Sequence, residues 1–128
     1  MAGRLPIHPE AFTGPMSYKR KRPRVENTGH LKFIRSLPCC CCGKRPVDAA
    51  HLRMAGPAYG KRDTGTAQKP DDRWATPLCR QHHDEQHKGS EAAFWAAQGI
   101  DPFVLSLTLW GCSGDDEAAE AAIKGARK

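Results

Sequence analysis

The sequence predicts a small α+β domain held together by bound metal, and three observations lead to this expectation. The chain has 128 residues, of which 39% are apolar, so it can bury only one small core. Six cysteines accompany six histidines, and a core of this size often needs disulfides or metal to be stable. Two short extended segments are followed by a polar helical segment, which indicates a hairpin and then a helix.

The chemistry of the cysteines depends on the compartment, and the sequence has no sign of export. No N-terminal stretch has the charged start and apolar run of a signal peptide, and no segment approaches the roughly 20 apolar residues of a membrane span. A cytoplasmic location is therefore expected, with no membrane partner. Because thiols stay reduced there, the cysteines are expected to bind zinc, and buried or redox-active free cysteines are the alternative.

The elements are predicted from apolar spacing and capping residues. Pro38 ends a first amphipathic helix, Gly89 ends a polar helix, and Ser90 and Asp101 are typical N-caps of two further helices. In chain order the predicted elements are a helix over 28–37, strands over 47–52 and 74–78, and helices over 80–88, 90–99 and 101–110.

Composition divides the chain into three parts: a basic, disordered arm over 1–27, a domain over 28–111, and a charged, alanine-rich tail or helix over 112–128. Much of the net charge of +6 is concentrated in the arm. A basic run of this kind neutralises phosphates, so nucleic acid is the expected partner, and a solvated tail is the alternative. The residues of the run are Lys19, Arg20, Lys21, Arg22 and Arg24.

Two residue pairs have the spacing of a structural zinc site. Cys39 and Cys42 are separated by two residues and followed by Gly43, as in a zinc knuckle. Cys79 and His82 repeat the same spacing later in the chain, and such a two-plus-two arrangement holds distant segments together where burial is insufficient. The sequence therefore predicts structural Zn²⁺ on these two pairs.

Two ambiguities remain in this ligand set. Cys40 or Cys41 replaces a ligand if the turn is displaced by one residue, and His83 rather than His82 can complete the site. The spacing and the following glycine favour Cys39 and Cys42. At about 100° per residue on a helix, His82 lies on the same side as the preceding cysteine ligand, which favours it over His83. Cys112 is distant in sequence and is given no role.

A second histidine pair lies on another side of the same predicted helix. His83 and His87 are four residues apart, about 40° around the helix, and can hold a divalent cation with positions left open for water and phosphate. An open metal site suggests catalysis, which also requires a group that takes a proton from water. His51, which ends an extended segment with Asp48 three residues before it, is the candidate general base.

At these residues the sequence resembles the HNH, or ββα-metal, nucleases, and more closely phage and prophage proteins related to a recombination-associated phage nuclease. The resemblance runs from about Leu37 to Leu109. Its blocks are Leu37-Pro38-Cys39-x2-Cys42-Gly43, Asp48-x2-His51-Leu52-Arg53, Asp71-Asp72-Arg73-Trp74, Pro77-Leu78-Cys79-x2-His82-His83-x3-His87, and Phe94-Trp95 through Gly99-Ile100-Asp101-Pro102.

The resemblance implies a ββα-metal (His-Me finger) core with flanking helices, and a DNA endonuclease or nickase that hydrolyses phosphodiester bonds and leaves a 5′-phosphate. His51 would be the general base, and Asp48, His83 and His87 would hold catalytic Mg²⁺ or Mn²⁺. It further implies a phage or prophage protein that acts in a bacterial host cell. Whether a recombination or packaging protein directs the cleavage stays open.

Two positions depart from the broader nuclease pattern. Ala50 precedes His51 where an acidic or histidine ligand is common, so Asp48 must turn inward to take its place. The middle asparagine is absent, and Trp74 lies in its region, so Asp72 or a backbone carbonyl is expected to orient the imidazole. These departures permit one alternative, a catalytically weak or inactive zinc module that binds nucleic acid. A second alternative is a zinc domain that binds protein, in which the basic arm serves only solubility.

The connection between the two strands carries cations that border the predicted site. They are expected to contact backbone phosphates, with a merely solvated loop as the alternative. These residues are Lys61, Arg62, Lys69 and Arg73. The large aromatic side chains are expected to pack in the core rather than stack on bases, because a small domain needs them there. They are Trp74, Phe94, Trp95, Phe103 and Trp110.

Overall fold

The computed structural model describes residues 24–61 and 69–127. Five of the predicted nucleic-acid-binding residues lie outside this part: Lys19, Arg20, Lys21, Arg22 and Arg62. The main elements are helix α1 (Thr28–Arg35), strand β1 (Val47–His51), strand β2 (Ala75–Cys79), and helices α2 (Arg80–His87), α3 (Glu91–Gln98), α4 (Pro102–Gly111) and α5 (Asp116–Ala126). This is the small α+β architecture that the sequence predicts.

The two strands form an antiparallel sheet, with Val47 opposite Cys79 and His51 opposite Ala75. Their connection contains two short 3-10 helices, Pro57–Tyr59 and Asp72–Trp74. Helix α2 follows β2 without a break and packs against both strands. One end of the sheet therefore carries Cys79, and the other end carries His51.

The helix starts after α2 follow the predicted caps. The side chain of Ser90 accepts a hydrogen bond from the backbone N–H of Ala93 at 3.1 Å, and Asp101 accepts from the N–H groups of Phe103 and Val104. Caps of this kind contribute about 1 kcal/mol each. They fix where α3 and α4 begin, and so how these helices close over α2 and the strand connection.

The core lies between the sheet and the surrounding helices. Leu52, Leu78 and Leu109 are fully buried at its centre, and Trp74 and Trp95 are nearly so. Of the other aromatic residues, Phe94 is buried, whereas Phe103 and Trp110 are partly exposed. Within the described ranges, no helix has the length and apolar content needed to cross a membrane.

At both edges, the folded part of the chain extends beyond the predicted domain over 28–111. Of the two alternatives for 112–128, a tail or a helix, the structure has a helix: α5 packs on α4 with Ala119 and Ile123 buried, so it adds to the folded domain. At the other edge, the N–H of Val25 donates to the side chain of Asp71 at 2.8 Å, and the N–H of Asn27 donates to that of Asp72 at 2.7 Å. The described residues before α1 therefore belong with the domain rather than with the arm.

Candidate metal centre and histidine site

The four residues predicted to bind zinc lie together. The ligand atoms of Cys39, Cys42, Cys79 and His82 all lie within 4.8 Å of one another. The Sγ atoms of Cys42 and Cys79 are 3.8 Å apart, and Nδ1 of His82 is 3.7 Å from Sγ of Cys39 and 3.2 Å from Sγ of Cys79. Tetrahedral Zn²⁺ with Zn–S bonds of about 2.3 Å requires sulfur atoms about 3.8 Å apart. Three thiolates and one imidazole at this spacing therefore fit a closed structural zinc site.

The turn that contains the first two cysteines selects these ligands from the run of four. Gly43 adopts a left-handed conformation with φ of 78°, and its N–H donates to the carbonyl oxygen of Cys39 at 2.8 Å. The N–H of Cys40 donates to the carbonyl oxygen of Pro77 at 2.9 Å, which ties the turn to β2. Cys40 and Cys41 are not among the clustered ligand atoms, so the preferred assignment agrees with the geometry.

Without metal, the thiols of Cys39 and Cys42 hold their protons more tightly than an ordinary cysteine. A hydrogen bond with Cys41, and then burial, raise the pKa of Cys39 to about 12. Burial, followed by the neighbouring thiols, also raises the pKa of Cys42. Because zinc binds the thiolate form, metal uptake must displace these protons.

His51 is held by a buried carboxylate. Its Nε2 lies 2.9 Å from Oδ1 of Asp72, whose side chain is only 2% exposed. An ionised carboxylate only accepts hydrogen bonds, so Nε2 of His51 carries the hydrogen, and in the neutral ring Nδ1 is then an acceptor. Among the described residues, none forms a hydrogen bond with this Nδ1 atom. The predicted orienting partner is thus Asp72 and not a backbone carbonyl.

Asp72 is itself fixed from two further directions. The guanidinium of Arg24 donates to Oδ1 at 2.6 Å, and the N–H of Asn27 donates to Oδ2 at 2.7 Å. Burial alone would raise the pKa of Asp72, but the Asn27 N–H, the His51 ring and the Arg24 charge together hold this pKa below its ordinary value. The carboxylate is therefore ionised near neutral pH and able to hold one orientation of His51.

The second predicted metal set is brought together only in part. Nδ1 of His83 lies 2.9 Å from Oδ2 of Asp48, and the ring centroids of His83 and His87 are 4.9 Å apart. Nη2 of Arg80 also contacts Oδ2 of Asp48, at 2.8 Å. In the described part of the chain, these residues do not form a second group whose ligand atoms all lie within 4.8 Å. Asp48 orients His83 in this arrangement, and its Oδ2 atom is already engaged.

The described members of the predicted phosphate-binding set have different surroundings. Arg24 is engaged with Asp72, with Glu26 at 3.0 Å and with the carbonyl oxygen of Pro70 at 2.8 Å. The guanidinium of Arg73 lies over the ring of Trp110, 5.7 Å from its centroid. Lys61 is buried, and Lys69 is exposed. Arg24 therefore supports Asp72 instead of facing a ligand freely, because its donors already have acceptors.

Polar residues that the sequence analysis missed connect α2 to the end of β1. Gln86 is 3% exposed and donates to Oε2 of Glu91 at 2.7 Å and to the carbonyl oxygen of His51 at 3.4 Å. Oε1 of Glu91 accepts from the N–H groups of Arg53 and Met54. Gln86 lies three residues after His83, and this helical spacing was the available indication that it faces the same strand.

Comparisons with known proteins identify a family but no activity. A family model described as "Protein of unknown function (DUF968)" matches residues 4–110. A similar curated protein is "Uncharacterized protein YdfU" of Escherichia coli (strain K12), which is 32% identical over 87 residues. That match covers 68% of this chain and 22% of the relative, so the chain spans only a small part of the relative's length. No solved structure matches.

Proposed function

The chain belongs to the DUF968 family of proteins of unknown function, and we propose that it is a metal-dependent DNA endonuclease or nickase of the HNH, or ββα-metal, type. The observation that carries this proposal is the contact between Nε2 of His51 and the buried carboxylate of Asp72. A histidine fixed in this way, with the opposite ring nitrogen free of described partners, is arranged as a general base.

His51 and Asp72 would divide the proton chemistry between them. Nδ1 of His51 would take a proton from the water that attacks a phosphodiester. The imidazolium formed in this step would then be stabilised by the ionised Asp72 carboxylate, which also keeps the ring in place. Arg24 and Asn27 would keep that carboxylate ionised and immobile. Asp72 would thus take the orienting role of the asparagine that this chain lacks.

A divalent cation is the second requirement of this chemistry. His83 and His87 would hold it, and Asp48 would orient His83 through the hydrogen bond at Nδ1, which leaves Nε2 of that ring as the ligand atom. A bound Mg²⁺ or Mn²⁺ supplies charge that polarises a phosphoryl oxygen and stabilises the departing 3′ oxygen. The chain order of β1, β2 and α2 supports the proposal of a ββα-metal core.

The remaining features fit a DNA substrate, and by its resemblance to the phage and prophage proteins the enzyme would be phage-encoded or prophage-encoded. The net charge of +6 favours a polyanion, and the basic run ends at Arg24, which donates a hydrogen bond to Asp72. Structural Zn²⁺ on the four clustered ligands would fix the start of α2, and with it the position of His83 beside Asp48 on β1. A recombination or packaging protein is the kind of partner that would direct the enzyme to its substrate.

A second candidate function is a zinc module that binds nucleic acid without cutting it. The observation that favours it is the engagement of Oδ2 of Asp48 by both Arg80 and His83, because this atom is then not available to a catalytic cation. Such a module would retain the zinc cluster and the positive charge, and would have no catalytic metal.

Incubation of zinc-loaded protein with supercoiled plasmid separates the two functions. The nuclease predicts that nicked circles accumulate with added Mg²⁺ or Mn²⁺ and do not form without the added cation. The binding module predicts salt-sensitive retardation of the plasmid in gels and no nicking under any metal condition. Cleavage that proceeds equally without added cation would contradict the proposed metal dependence.

A further inference from the structure

An exposed arginine adjoins each end of the His83 and His87 pair. Arg80 is the first residue of α2, its side chain is 70% exposed, and its Nη2 shares Oδ2 of Asp48 with Nδ1 of His83. The guanidinium and the His83 imidazole therefore meet at one oxygen atom. Because Arg80 directly follows the ligand Cys79, the zinc cluster fixes the point on the backbone from which its side chain extends.

Arg53 lies at the His87 end of the pair. It is exposed, and its N–H is held by Oε1 of Glu91 at 2.9 Å, so the backbone that carries the side chain is fixed. The same Glu91 side chain receives a hydrogen bond at 2.7 Å from Gln86, the residue before His87, and this contact anchors the loop to α2. Arg53 is therefore held beside the end of α2 that carries His87.

Apart from Lys88, which directly follows His87, the other charged side chains on or beside α2 are acidic. Asp48 and Asp84 both face Arg80, at 2.8 and 3.5 Å, and Glu85 and Glu91 lie on or beside the same helix. A guanidinium has five N–H donors, and these two contacts leave others directed to solvent. An arginine with spare donors beside an open histidine pair matches the geometry of a phosphate group, which accepts paired hydrogen bonds.

We propose that Arg80 and Arg53 bind backbone phosphates of the DNA, one at each end of the His83 and His87 pair. This inference rests on the function proposed above, from which it takes its ligand. The N–H donors of Arg80 that do not contact Asp48 or Asp84 take the phosphate oxygen. Neither arginine belongs to the basic arm or to the set of strand-connection cations that the sequence predicts.

The test is the affinity of the zinc-loaded full chain for a fluorescein-labelled DNA oligonucleotide, measured by anisotropy without added divalent cation. Arg80→Gln and Arg53→Gln are each expected to weaken binding about 3- to 10-fold near 0.1 M salt and to reduce the salt slope by about one. The matched control is Arg45→Gln. Arg45 is also an exposed arginine in an ion pair, 3.5 Å from Glu120 on α5. The Arg45→Gln protein is expected to bind the oligonucleotide with an affinity within about twofold of the wild type.

A second pair of variants separates contact with phosphate from simple neutralisation of Asp48. If Arg80 only masks that carboxylate, then Asp48→Asn combined with Arg80→Gln binds DNA as tightly as the wild type, and this result overturns the proposal. If Arg80 contacts phosphate, the double variant still binds more weakly than Asp48→Asn alone. Circular dichroism melting curves and zinc content confirm that each variant is folded.

The outcomes also distinguish this inference from the proposed nuclease function. Equal affinities for Arg80→Gln, Arg53→Gln and Arg45→Gln overturn the phosphate contacts even if the wild type nicks plasmid. If the wild type does not nick plasmid but Arg80→Gln and Arg53→Gln bind DNA more weakly as predicted, the nuclease function is removed and the two phosphate contacts are supported. A wild type that does not bind the oligonucleotide overturns the inference directly.

Discussion

Substituting Cys79 by serine removes one of the three thiolates of the predicted zinc site. Cys79 is both the last residue of β2 and the N-cap of α2, and its Sγ lies within 3.8 Å of Cys42 Sγ and 3.2 Å of His82 Nδ1. The side chain thus joins the cysteine turn before β1 to the start of the helix that carries the histidines. Serine has nearly the same size, but its neutral hydroxyl is a poor zinc ligand.

The free energy of folding that Cys79→Ser is expected to remove is comparable to the whole stability of the domain. Structural zinc sites contribute about 10–16 kcal/mol of apparent binding free energy at neutral pH, and domains of this size are stable by about 5–15 kcal/mol. Without zinc, the direct backbone link from the turn to β2 is the hydrogen bond from Cys40 to Pro77, and such a bond contributes about 1 kcal/mol. Cys79→Ser is therefore expected to unfold the domain.

Circular dichroism melting curves and a zinc determination on purified protein measure this effect. Cys112→Ser is the matched control, because Cys112 is an unpaired, partly buried cysteine outside the ligand cluster. The control is expected to retain one zinc ion and a cooperative transition close to that of the wild type. A Cys79→Ser protein that keeps one zinc ion and the wild-type melting curve would refute the assignment of Cys79 to a structural zinc site.

Three further predictions concern the histidine site and the thiols. Asp72→Asn is expected to slow plasmid nicking about 10- to 100-fold, because an amide can donate to Nε2 of His51 and favour the wrong tautomer; an unchanged rate would show that Asp72 does not orient the ring. Since the raised pKa of Cys39, about 12, keeps this thiol protonated in the metal-free protein, zinc uptake should release protons. Competition titrations against a chelating dye should then give a zinc affinity that rises with pH, and an affinity independent of pH would contradict this. His83→Ala is expected to raise the Mn²⁺ concentration for half-maximal nicking at least about tenfold, whereas an unaltered requirement would exclude this residue as a ligand.

The clustered cysteine and histidine ligands were predictable because the residue spacings that indicate them are local. Each half of the site is a short spacing within one turn, and Gly43 marks the tight turn after Cys42. Helix boundaries were likewise set by side chains a few residues away, such as Ser90 and Asp101. The α+β architecture was predictable from these local patterns, and a bound metal was expected because so small a core often needs one to be stable.

The surroundings of His51 were less predictable because they depend on distant segments. Arg24 and Asp72 are far apart in sequence, and their contact depends on how the segment before α1 meets the end of the strand connection. A basic run predicts phosphate contacts for all its members, so composition alone could not single out Arg24 as a support for a carboxylate.

The packing of α5 was not predictable from the sequence for a related reason. Helix α5 buries few large side chains, chiefly Ile123, together with the small Ala119 one turn earlier. Alanine-rich, charged sequences have this composition whether they dock or extend into solvent, so the pattern did not reveal that this helix packs on α4.

The rate of plasmid nicking by His51→Ala, relative to the wild type at equal zinc content, tests the central claim most directly. A general base of this kind contributes about 10²- to 10⁴-fold to the rate. The proposed mechanism therefore predicts that His51→Ala, folded and zinc-loaded, loses at least about 100-fold in single-turnover nicking with Mn²⁺ while it binds DNA as the wild type does. Equal nicking rates for the two proteins would contradict the claim.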